Sequence, residues 1–448
     1  MLLGGLGLKI TMFSNKKIII IAAITVIIGG GLYFRGANLL KKLAGYNVPP
    51  LEEPKTSEVN DPSLSFLNLP EGFEINVFAK NLENPRVLTF DPNGSVLVSE
   101  TKAGRVVLLE NGENGIADTK KVLLSGLNKP HGLAFYSSGN TTYLYVAETQ
   151  QVARYIYDVK NKTVTPAKGE NITNLPADGR HFTRTISFGP NFRETPLLPG
   201  KRGDDTLADT KLYISVGSSC DVCVEDTTWK RAAILESDPT GTFTAEFAGG
   251  LRNSVFFTFH PVTKEIWATE MGRDNLGDNL PPDEVNIVKV AGPEDKFGAK
   301  RYGWPFCYGD KMRDKKFNPE KIERIDISSD CAKTESPVIQ IQAHSAPLGL
   351  VFIPSNSGWP KEWAGDLLVA FHGSWNRSEP VGYKIVRYDL DINGNVLSQE
   401  PEDFILGWLG ENGKIFGRPV DLKFGPDNSL YITDDAIGAI YRVTPTSN

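Results

Sequence analysis

One arrangement of apolar and polar positions recurs six times between residues 84 and 435. Each copy has a short apolar segment that ends in Phe, a polar turn often rich in Gly, Pro or Asn, and then a run of β-forming residues. Short apolar runs bounded by turn residues are typical of β-strands. The first segments are 84–90, 129–135, 182–188, 253–259, 346–352 and 418–424, and the following runs are 96–100, 143–148, 212–217, 266–270, 367–372 and 430–435.

The repeated unit predicts the fold class. A third strand often follows a Gly, as after Gly104 and Gly438. A single unit cannot bury both faces of its sheet, so the units must stack and close into a ring that removes exposed edges. We therefore predict an all-β, six-bladed β-propeller, in which the spare strand 73–79 completes one blade at the closure. A β-sandwich is the alternative, although a sandwich needs no repeated unit.

The N-terminal segment differs from the repeats. Two lysines precede a nearly uninterrupted apolar run over 18–34, which Arg35 closes. A run of this length is at the lower limit for spanning a bilayer as a helix, so the sequence predicts an uncleaved transmembrane anchor. A cleaved signal peptide is the alternative. Both predictions place the rest of the chain outside the cytoplasm, in the periplasm or at the cell surface.

Three regions follow from these patterns. The anchor covers 1–40, and a Pro-rich stalk with acidic residues covers 41–66. Prolines at this density favour an extended chain. The propeller domain is expected over 67–446.

Cysteine usage agrees with export. The chain contains Cys220, Cys223, Cys307 and Cys331. An even count in an exported chain predicts two disulfides. The Cys-x-x-Cys spacing also occurs in redox and metal motifs, but no His follows it for haem attachment and no second pair completes a zinc site.

Composition narrows the classes of partner. The chain has 448 residues, 40% of them hydrophobic, together with 43 Gly and 29 Pro, which suits a large core and many turns. The 48 Lys and Arg against 54 Asp and Glu give a net charge of -6. We expect no nucleic-acid partner, because binding a polyanion requires a positively charged surface.

Basic and imidazole side chains recur near the start of the innermost predicted strands. In a propeller these positions crowd one mouth of the central channel, where positive charges would repel one another without a counter-ion. The sequence therefore predicts a site for a small, multiply charged anion, because Arg presents paired donors suited to carboxylates. Alternatively, each Arg bridges neighbouring blades through Asp or Glu. The residues are Arg86, His131, His181, Arg184, Arg252, Asn253, His344 and Arg418.

A Gly- and Pro-rich loop over 271–284 carries four acidic residues. Asp274, Asp278, Asp283 and Glu284 could supply oxygen ligands to a hard cation such as Ca²⁺. The spacing is not that of an EF-hand, and acidic turns are commonly only solvated.

Several blocks together resemble the soluble pyrroloquinoline quinone (PQQ) dependent glucose/sorbosone dehydrogenase family, and most closely its L-sorbosone-dehydrogenase-like branch. The resemblance extends over about 67–444 and implies a six-bladed propeller that binds PQQ and Ca²⁺ over the channel. The blocks are GRHFTRTI at 179–186, VGSSCDVC at 216–223, GLRNS at 250–254, GRDNLGD at 272–278, PPDE at 281–284, YGWP at 302–305, AHSAPLGL at 343–350, HGSWNR at 372–377, GRPVD at 417–421 and DDAIGAIYRV at 434–443.

The resemblance also implies roles for individual residues. His181 aligns with the family's catalytic base, which takes the proton of the sugar hydroxyl. Arg252 and Asn253 align with a pair that contacts the quinone oxygens and a PQQ carboxylate, and Arg418 aligns with another carboxylate contact. Gly272 and Arg273 align with the two residues whose backbone carbonyls hold the catalytic Ca²⁺, which acts as a Lewis acid.

The sequence departs from the family pattern at two positions. Where better-known glucose-oxidising members carry an Asp that orients the catalytic His, this chain has Ser218, so the orienting group is open between Asp221, Glu225 and another residue. The family's PQQ-contacting Lys falls in a stretch with extra residues, and Arg377 is the expected substitute. Further pocket residues are expected, by position alone, at His131, His344 and His372.

The function implied by the resemblance is oxidation of a sugar, of the aldose or sorbosone type, by hydride transfer to PQQ. A small sugar and an external electron acceptor are the expected partners, besides the membrane that the anchor would enter. A six-bladed Ca²⁺-dependent lactonase and a non-catalytic binding propeller are the alternatives. A lactonase site is lined by Glu, Asp and Asn, whereas Arg and His predominate here.

Overall fold

The computed structural model describes residues 62–112, 115–193, 210–226, 228–293, 295, 298–319 and 330–446. Among these residues no helix is long and apolar enough to cross a membrane. The predicted anchor over 1–40 lies outside the described residues, as does the predicted stalk up to residue 61. The last stalk residues, Pro62–Phe66, form a 3-10 helix, and Phe66 stacks on Phe416 with ring centroids 5.1 Å apart.

The described strands form seven sheets: six are the blades, each running from an inner to an outer strand, and the seventh is a two-stranded hairpin. Blade 1 contains β2 (Pro85–Phe90), β3 (Val96–Glu100), β4 (Arg105–Asn111) and β5 (Ala117–Leu124). Blade 2 contains β6 (Leu133–Ser138), β7 (Thr141–Glu148), β8 (Gln151–Asp158) and β9 (Thr163–Asn174). Blade 3 contains β10 (Ile186–Pro190), β11 (Thr210–Val216), β12 (Ala233–Ser237) and β13 (Thr244–Gly249), with β17 (Lys300–Arg301) added in parallel.

The remaining blades follow the same order. Blade 4 contains β14 (Phe257–Phe259), β15 (Ile266–Glu270), β16 (Asp283–Val288) and β20 (Ile339–Ile341), and blade 5 contains β21 (Pro347–Phe352), β22 (Leu367–Phe371), β23 (Lys384–Tyr388) and β24 (Glu402–Ile405). Blade 6 contains β25 (Pro419–Phe424), β26 (Leu430–Asp434), β27 (Ala439–Pro445) and β1 (Phe73–Ala79). A small hairpin of β18 (Cys307–Tyr308) and β19 (Met312–Arg313) and two short 3-10 helices, Cys331–Lys333 and Lys361–Trp363, lie in connections.

The ring closes as the sequence predicts. Strand β1 pairs antiparallel with β27, from Phe73 opposite Pro445 to Ala79 opposite Ile440. The first strands of neighbouring blades contact one another, β2 with β6 and β25, and β21 with β14 and β25. The prediction of an all-β, six-bladed β-propeller is confirmed, and the β-sandwich alternative is wrong.

The second strand of a blade is packed on both faces, which explains its sequence. All five positions are buried in each of β3, β15, β22 and β26. A strand covered on both faces can carry consecutive apolar residues, and the first three residues of each of these strands are apolar. These runs are therefore the strongest strand signal in the chain.

The Phe that ends each repeated segment packs against another aromatic ring. In five of the six described pairs the partner belongs to the preceding blade, so the repeat encodes the contact between blades. Each aromatic pair contributes about 0.5–1.5 kcal/mol beyond its buried area. The pairs are Phe90–Tyr431, Phe135–Tyr157, Phe188–Tyr145, Phe259–Tyr213, Phe352–Trp267 and Phe424–Trp359, with centroid separations of 4.9 to 5.7 Å; Phe135–Tyr157 is the pair within one blade.

Both predicted disulfides form. Cys220 bonds Cys223 in the loop after β11, and Cys307 bonds Cys331 beside the small hairpin. A zinc site at Cys220 and Cys223 is excluded in this state, because disulfide sulfurs do not offer the thiolates that bind zinc.

Candidate active site

Loops from blades 3, 4 and 5 enclose a cavity of about 240 Å³. This volume is slightly below the usual range for small-molecule sites, about 300–1,000 Å³. The wall combines cationic, carboxylate and amide groups with one exposed aromatic ring. The lining residues are Arg180, His181, Arg252, Asn253, Met271, Gly272, Asp274, Asp283, His344, Ala346, Trp375 and Asn376.

The ring of His181 is held from one side. Its Nδ1 lies 2.9 Å from the backbone oxygen of Ser218 and 3.0 Å from the Ser218 hydroxyl oxygen. That hydroxyl donates its hydrogen to the Cys220 carbonyl at 2.6 Å. Because both oxygens then act as acceptors, we assign the proton of the neutral imidazole to Nδ1, which leaves Nε2 with its lone pair.

Burial, together with the positive charges of Arg252 and Arg180, lowers the pKa of His181 from its ordinary value of 6.5 to about 3. The imidazole is therefore neutral at physiological pH. A neutral imidazole with a free Nε2 can accept a proton from a hydroxyl group in the cavity, but a pKa of about 3 makes it a weak base. An anionic ligand beside Arg252 and Arg180 would offset their charges and raise the pKa of His181.

The orienting group that the sequence left open is the backbone carbonyl of Ser218. Asp221 instead accepts hydrogen bonds from Arg252, and Glu225 accepts one from the Ser219 hydroxyl at 3.0 Å. The imidazole is therefore held in place although position 218 is not an Asp.

Arg252 is 4% exposed and fixed by protein groups. Its Nε and Nη2 donate to the carbonyl oxygen and carboxylate of Asp221 at 2.9 and 2.8 Å, and its Nη1 donates to the Met271 carbonyl at 3.1 Å. The next residue, Asn253, donates its backbone N–H to Glu270 at 3.0 Å. Within the described residues its buried side-chain oxygen has no hydrogen-bond partner.

The cavity wall also carries a chain of polar contacts. Asp274 pairs with Arg180 at 2.8 Å and accepts a hydrogen bond from the Asn376 amide at 2.8 Å. The Arg180 guanidinium lies 5.7 Å from the ring centroid of Trp375, which is 40% exposed. An exposed indole beside a polar cavity offers a flat apolar surface to a ligand.

Asp283 connects two parts of the wall. Its carboxylate accepts the backbone N–H groups of Gly272 and Ala346, both at 2.9 Å. Burial raises the pKa of Asp283 to about 7, and burial also raises the pKa of the neighbouring Glu270 to about 8. Gly272 itself is tightly enclosed, since an added Cβ would lie 2.6 Å from the Pro281 ring.

The acidic loop does not form the carboxylate cage that its composition suggested. Asp274 is bound by Arg180, Asp278 by Ser378 and Asp283 by backbone amides, while Glu284 accepts from Gly309 at 2.6 Å. Among the residues that the structure describes, Cys220, Cys223 and Glu225 are the group of His, Cys, Asp and Glu side chains whose ligand atoms lie close together, and the two sulfurs are disulfide-bonded.

The structure brings five of the predicted site residues together in the cavity wall: His181, Arg252, Asn253, His344 and Gly272. Arg273 does not line this cavity and pairs with Asp314 at 2.8 Å. His344 donates from Nε2 to the Gly277 carbonyl at 2.8 Å.

Four predicted cofactor contacts lie outside the cavity lining. Arg418 donates to the Gly373 carbonyl at 3.2 Å and stacks on the Tyr383 ring at 4.7 Å. Arg377 donates to the Asp278 carbonyl, and the wholly buried His131 contacts Thr185 at 3.3 Å. The fourth residue, His372, pairs through Nε2 with Asp435 at 2.9 Å.

Some of the positive groups near the channel have acidic partners within the protein. Asp435 lies between Arg86, at 2.6 Å, and His372. Asp221 pairs with Arg252, and buried Arg184 donates to the carbonyls of Pro176, His181 and Thr183. The alternative, in which Arg residues bridge neighbouring blades through Asp or Glu, therefore fits Arg86 and Arg252.

Arg180, Trp375 and Asn376 line the cavity, although the sequence predicted no site role for them. Asp221, which the sequence offered only as a candidate to orient His181, instead holds Arg252. Arg180 directly precedes His181, and Trp375 and Asn376 belong to the block 372–377. Their positions within these motifs could therefore have indicated that they belong to the site. The pairing of Asp221 with Arg252 had no sequence signal, because the two residues lie in different loops.

Comparison with known proteins agrees with this architecture. An uncharacterised protein of Borreliella burgdorferi is 30% identical over 383 residues, which cover 85% of this chain and 91% of that protein. A protein of Hypocrea jecorina named pyrroloquinoline quinone-dependent sugar dehydrogenase is 24% identical over 401 residues, which cover 83% and 87% of the two chains.

A solved structure has the same fold. The iodide structure of the Trichoderma reesei Carbohydrate-Active Enzymes Family AA12 protein superposes with a TM-score of 0.68 at 22% identity and covers 89% of this chain and 100% of that one. The family model described as TrAA12-like matches residues 67–446. Because the match includes the whole propeller, the chain belongs to the TrAA12-like family.

Proposed function

We propose that the protein is a PQQ-dependent oxidoreductase that oxidises a sugar of the aldose or sorbosone type. The observation that carries the proposal is the neutral imidazole of His181, with Nε2 available, in a cavity that Arg252 and Asn253 also line. The name of the Hypocrea jecorina relative and the membership of the TrAA12-like family support the same activity.

The residues of the cavity suit PQQ. The buried Asn253 side-chain oxygen, which lacks a partner among the described residues, is an acceptor that a ring N–H of a ligand could satisfy. Arg180 has a half-exposed guanidinium that can bind a carboxylate, and the amide of Asn376 lies beside it. PQQ carries both a pyrrole N–H and carboxylates.

Calcium is proposed at the edge of the same cavity. The backbone carbonyls of Gly272 and Arg273 are the proposed ligands, and backbone oxygens suit this hard cation. Gly272 lies in the wall, and the Asp283 carboxylate fixes its backbone. When both groups are bound, PQQ would accept a hydride from the sugar carbon, with Ca²⁺ as Lewis acid.

The chain's own residues then have distinct tasks. His181 accepts the proton of the sugar hydroxyl at Nε2, and Ser218 holds the imidazole in the tautomer that makes this possible. Arg252 supplies a fixed positive charge where negative charge develops, because Asp221 prevents it from turning away. Trp375 offers its exposed face to the sugar ring.

Several finer points belong to the same proposal. The electrons leave to an external acceptor, and the chain acts in the periplasm or at the cell surface, where the two disulfides are stable. The anchor over 1–40 would hold it at the membrane. A Ca²⁺-dependent lactonase is not favoured, because the cavity carboxylates of Asp274 and Asp283 are already bound by Arg180 and backbone amides.

The test is reconstitution. Purified protein is incubated with PQQ and Ca²⁺, and dye reduction is followed with aldoses, sorbosone and other polyols. We expect sugar-dependent reduction that requires PQQ, disappears with a calcium chelator, and falls about 10²- to 10⁴-fold in His181→Asn. Lactone hydrolysis without PQQ, or inactivity in both assays, would contradict the proposal and favour the lactonase or the binding propeller, respectively.

A further inference from the structure

The loop 218–223 lies between the two proposed catalytic side chains and contacts both. The Ser218 carbonyl accepts from the His181 ring at 2.9 Å, and the Ser218 N–H donates to the Arg252 carbonyl at 2.7 Å. The adjacent Ser219 carbonyl accepts from the Arg180 backbone N–H at 2.7 Å. One short loop thus fixes the main chain at both Arg180 and Arg252, as well as the imidazole.

Asp221 is the centre of a second set of contacts. Its carbonyl oxygen accepts from Arg252 Nε at 2.9 Å and from the Trp304 indole at 3.2 Å. Its Oδ1 accepts from Arg252 Nη2 and from the Asp274 backbone N–H, both at 2.8 Å. Arg252 is therefore held by two different groups of one residue, which determines both its position and the direction of its guanidinium plane.

The disulfide closes this loop. Asp221 and Val222 are the two residues enclosed by the Cys220–Cys223 bond, and the segment forms no regular secondary structure. Without a strand ladder, its conformation depends on the cross-link and on the hydrogen bonds described above. The Ser218 hydroxyl adds one more restraint, because it donates to the Cys220 carbonyl at 2.6 Å.

We propose that the loop 218–223, closed by the Cys220–Cys223 disulfide, is the element that positions His181 and Arg252, with Asp221 as the positioning residue for Arg252. The inference rests on the proposed function and extends it. The Cys-x-x-Cys motif would then help to position catalytic side chains. A purely structural disulfide far from the site, or a metal centre, would not have this role.

The proposal makes the site sensitive to reduction. Cys220 and Cys223 are both half-buried, so a reductant can reach them. A dithiol gives two electrons and two protons to the disulfide, which becomes two thiols, while the dithiol is oxidised to its own disulfide. The loop then loses its covalent closure, and the contacts to His181 and Arg252 weaken together.

Three variants separate the parts of the proposal. Asp221→Asn removes the charge that holds Arg252 and breaks no covalent bond. The double variant C220S/C223S opens the loop, and C307S/C331S is the matched control that removes the other disulfide. In all three, circular dichroism and the thermal midpoint establish that the propeller is folded.

Two readouts are measured on protein free of cofactor. The first is the dissociation constant for PQQ, and the second is the nitrogen NMR signal of His181 protonated at Nδ1, assigned with His181→Asn. We expect D221N to weaken PQQ binding about tenfold but to retain the His181 signal, because Asp221 acts through Arg252. We expect C220S/C223S to weaken binding and to lose the single tautomer, and C307S/C331S to change neither.

Turnover provides the third readout. With PQQ and Ca²⁺, C220S/C223S should lose kcat about 10²-fold, since small displacements of reacting groups have effects of this size. Treating C307S/C331S with a dithiol should produce the same loss, because its remaining disulfide is Cys220–Cys223. Wild-type kcat, PQQ affinity and His181 signal in folded C220S/C223S would overturn the proposal.

The experiment distinguishes failure of the proposed function from failure of the positioning role of the loop. If the wild-type protein binds no PQQ, the proposed function is wrong, and the His181 signal alone decides the role of the loop. An unchanged signal in C220S/C223S would then overturn the positioning role, whereas a mixture of tautomers in that variant and a wild-type signal in C307S/C331S would support it.

Discussion

The Nδ1 atom of His181 lies 2.9 Å from the backbone carbonyl oxygen of Ser218, in a neighbouring loop of the same blade. A carbonyl can only accept, so this contact selects the tautomer and leaves Nε2 for chemistry. The serine side chain is secondary, because its hydrogen is given to the Cys220 carbonyl.

The first prediction concerns Ser218. Replacing Ser218 by Ala removes the hydroxyl but leaves the carbonyl that holds the imidazole. We expect kcat with PQQ and Ca²⁺ to fall less than about tenfold, against about 10²- to 10⁴-fold for His181→Asn. Steady-state dye reduction measures both, and a loss in S218A as large as that in H181N would show that the hydroxyl is the essential group.

Stability should depend on pH through His181. The pKa of the imidazole is about 3 in the folded protein and near 6.5 in the unfolded chain. Between these values the unfolded state binds a proton that the folded state does not, so the free energy of unfolding decreases as pH falls from about 6.5 to 3. Urea unfolding of wild type and H181N should show a weaker decrease in the variant, and parallel curves would contradict the shifted pKa.

Trp375 should determine affinity for the sugar. Removing its exposed ring in Trp375→Ala is expected to raise KM for the best sugar about 2- to 10-fold with less effect on kcat, and Trp375→Phe should restore part of the affinity. Trp229 is a matched control, since it is 39% exposed compared with 40% for Trp375 and does not line the cavity. An equal rise in KM for Trp229→Ala would refute a specific role.

Closure of the ring should depend on Phe78. This β1 residue is wholly buried, and its ring lies 5.1 Å from that of Tyr431 in blade 6. Replacing it by Ala should lower the free energy of unfolding by about 3–5 kcal/mol, because a cavity forms between the terminal strand and the blade. Phe243→Ala, at a position that is 41% exposed, should cost much less in the same denaturation experiment.

The sequence alone determined the fold, because the information is local and repeated. Each blade repeats an apolar segment that ends in Phe, a turn and a second strand rich in apolar residues. The packing of six Phe rings on other aromatic side chains depends on that repetition. The repeats also predicted the closing strand, and the even number of cysteines predicted the two disulfides.

Only the tertiary structure determined which acidic side chains pair with the Arg residues near the channel. Arg86 and Asp435 are 349 residues apart in sequence and 2.6 Å apart in space, and Arg252 meets Asp221 from another loop. No local pattern encodes such pairs, so the sequence did not reveal that Arg86 and Arg252 have acidic partners within the protein. The orientation of His181 was equally hidden, because every residue has a backbone carbonyl and only the three-dimensional course of the chain selects the one that an imidazole meets.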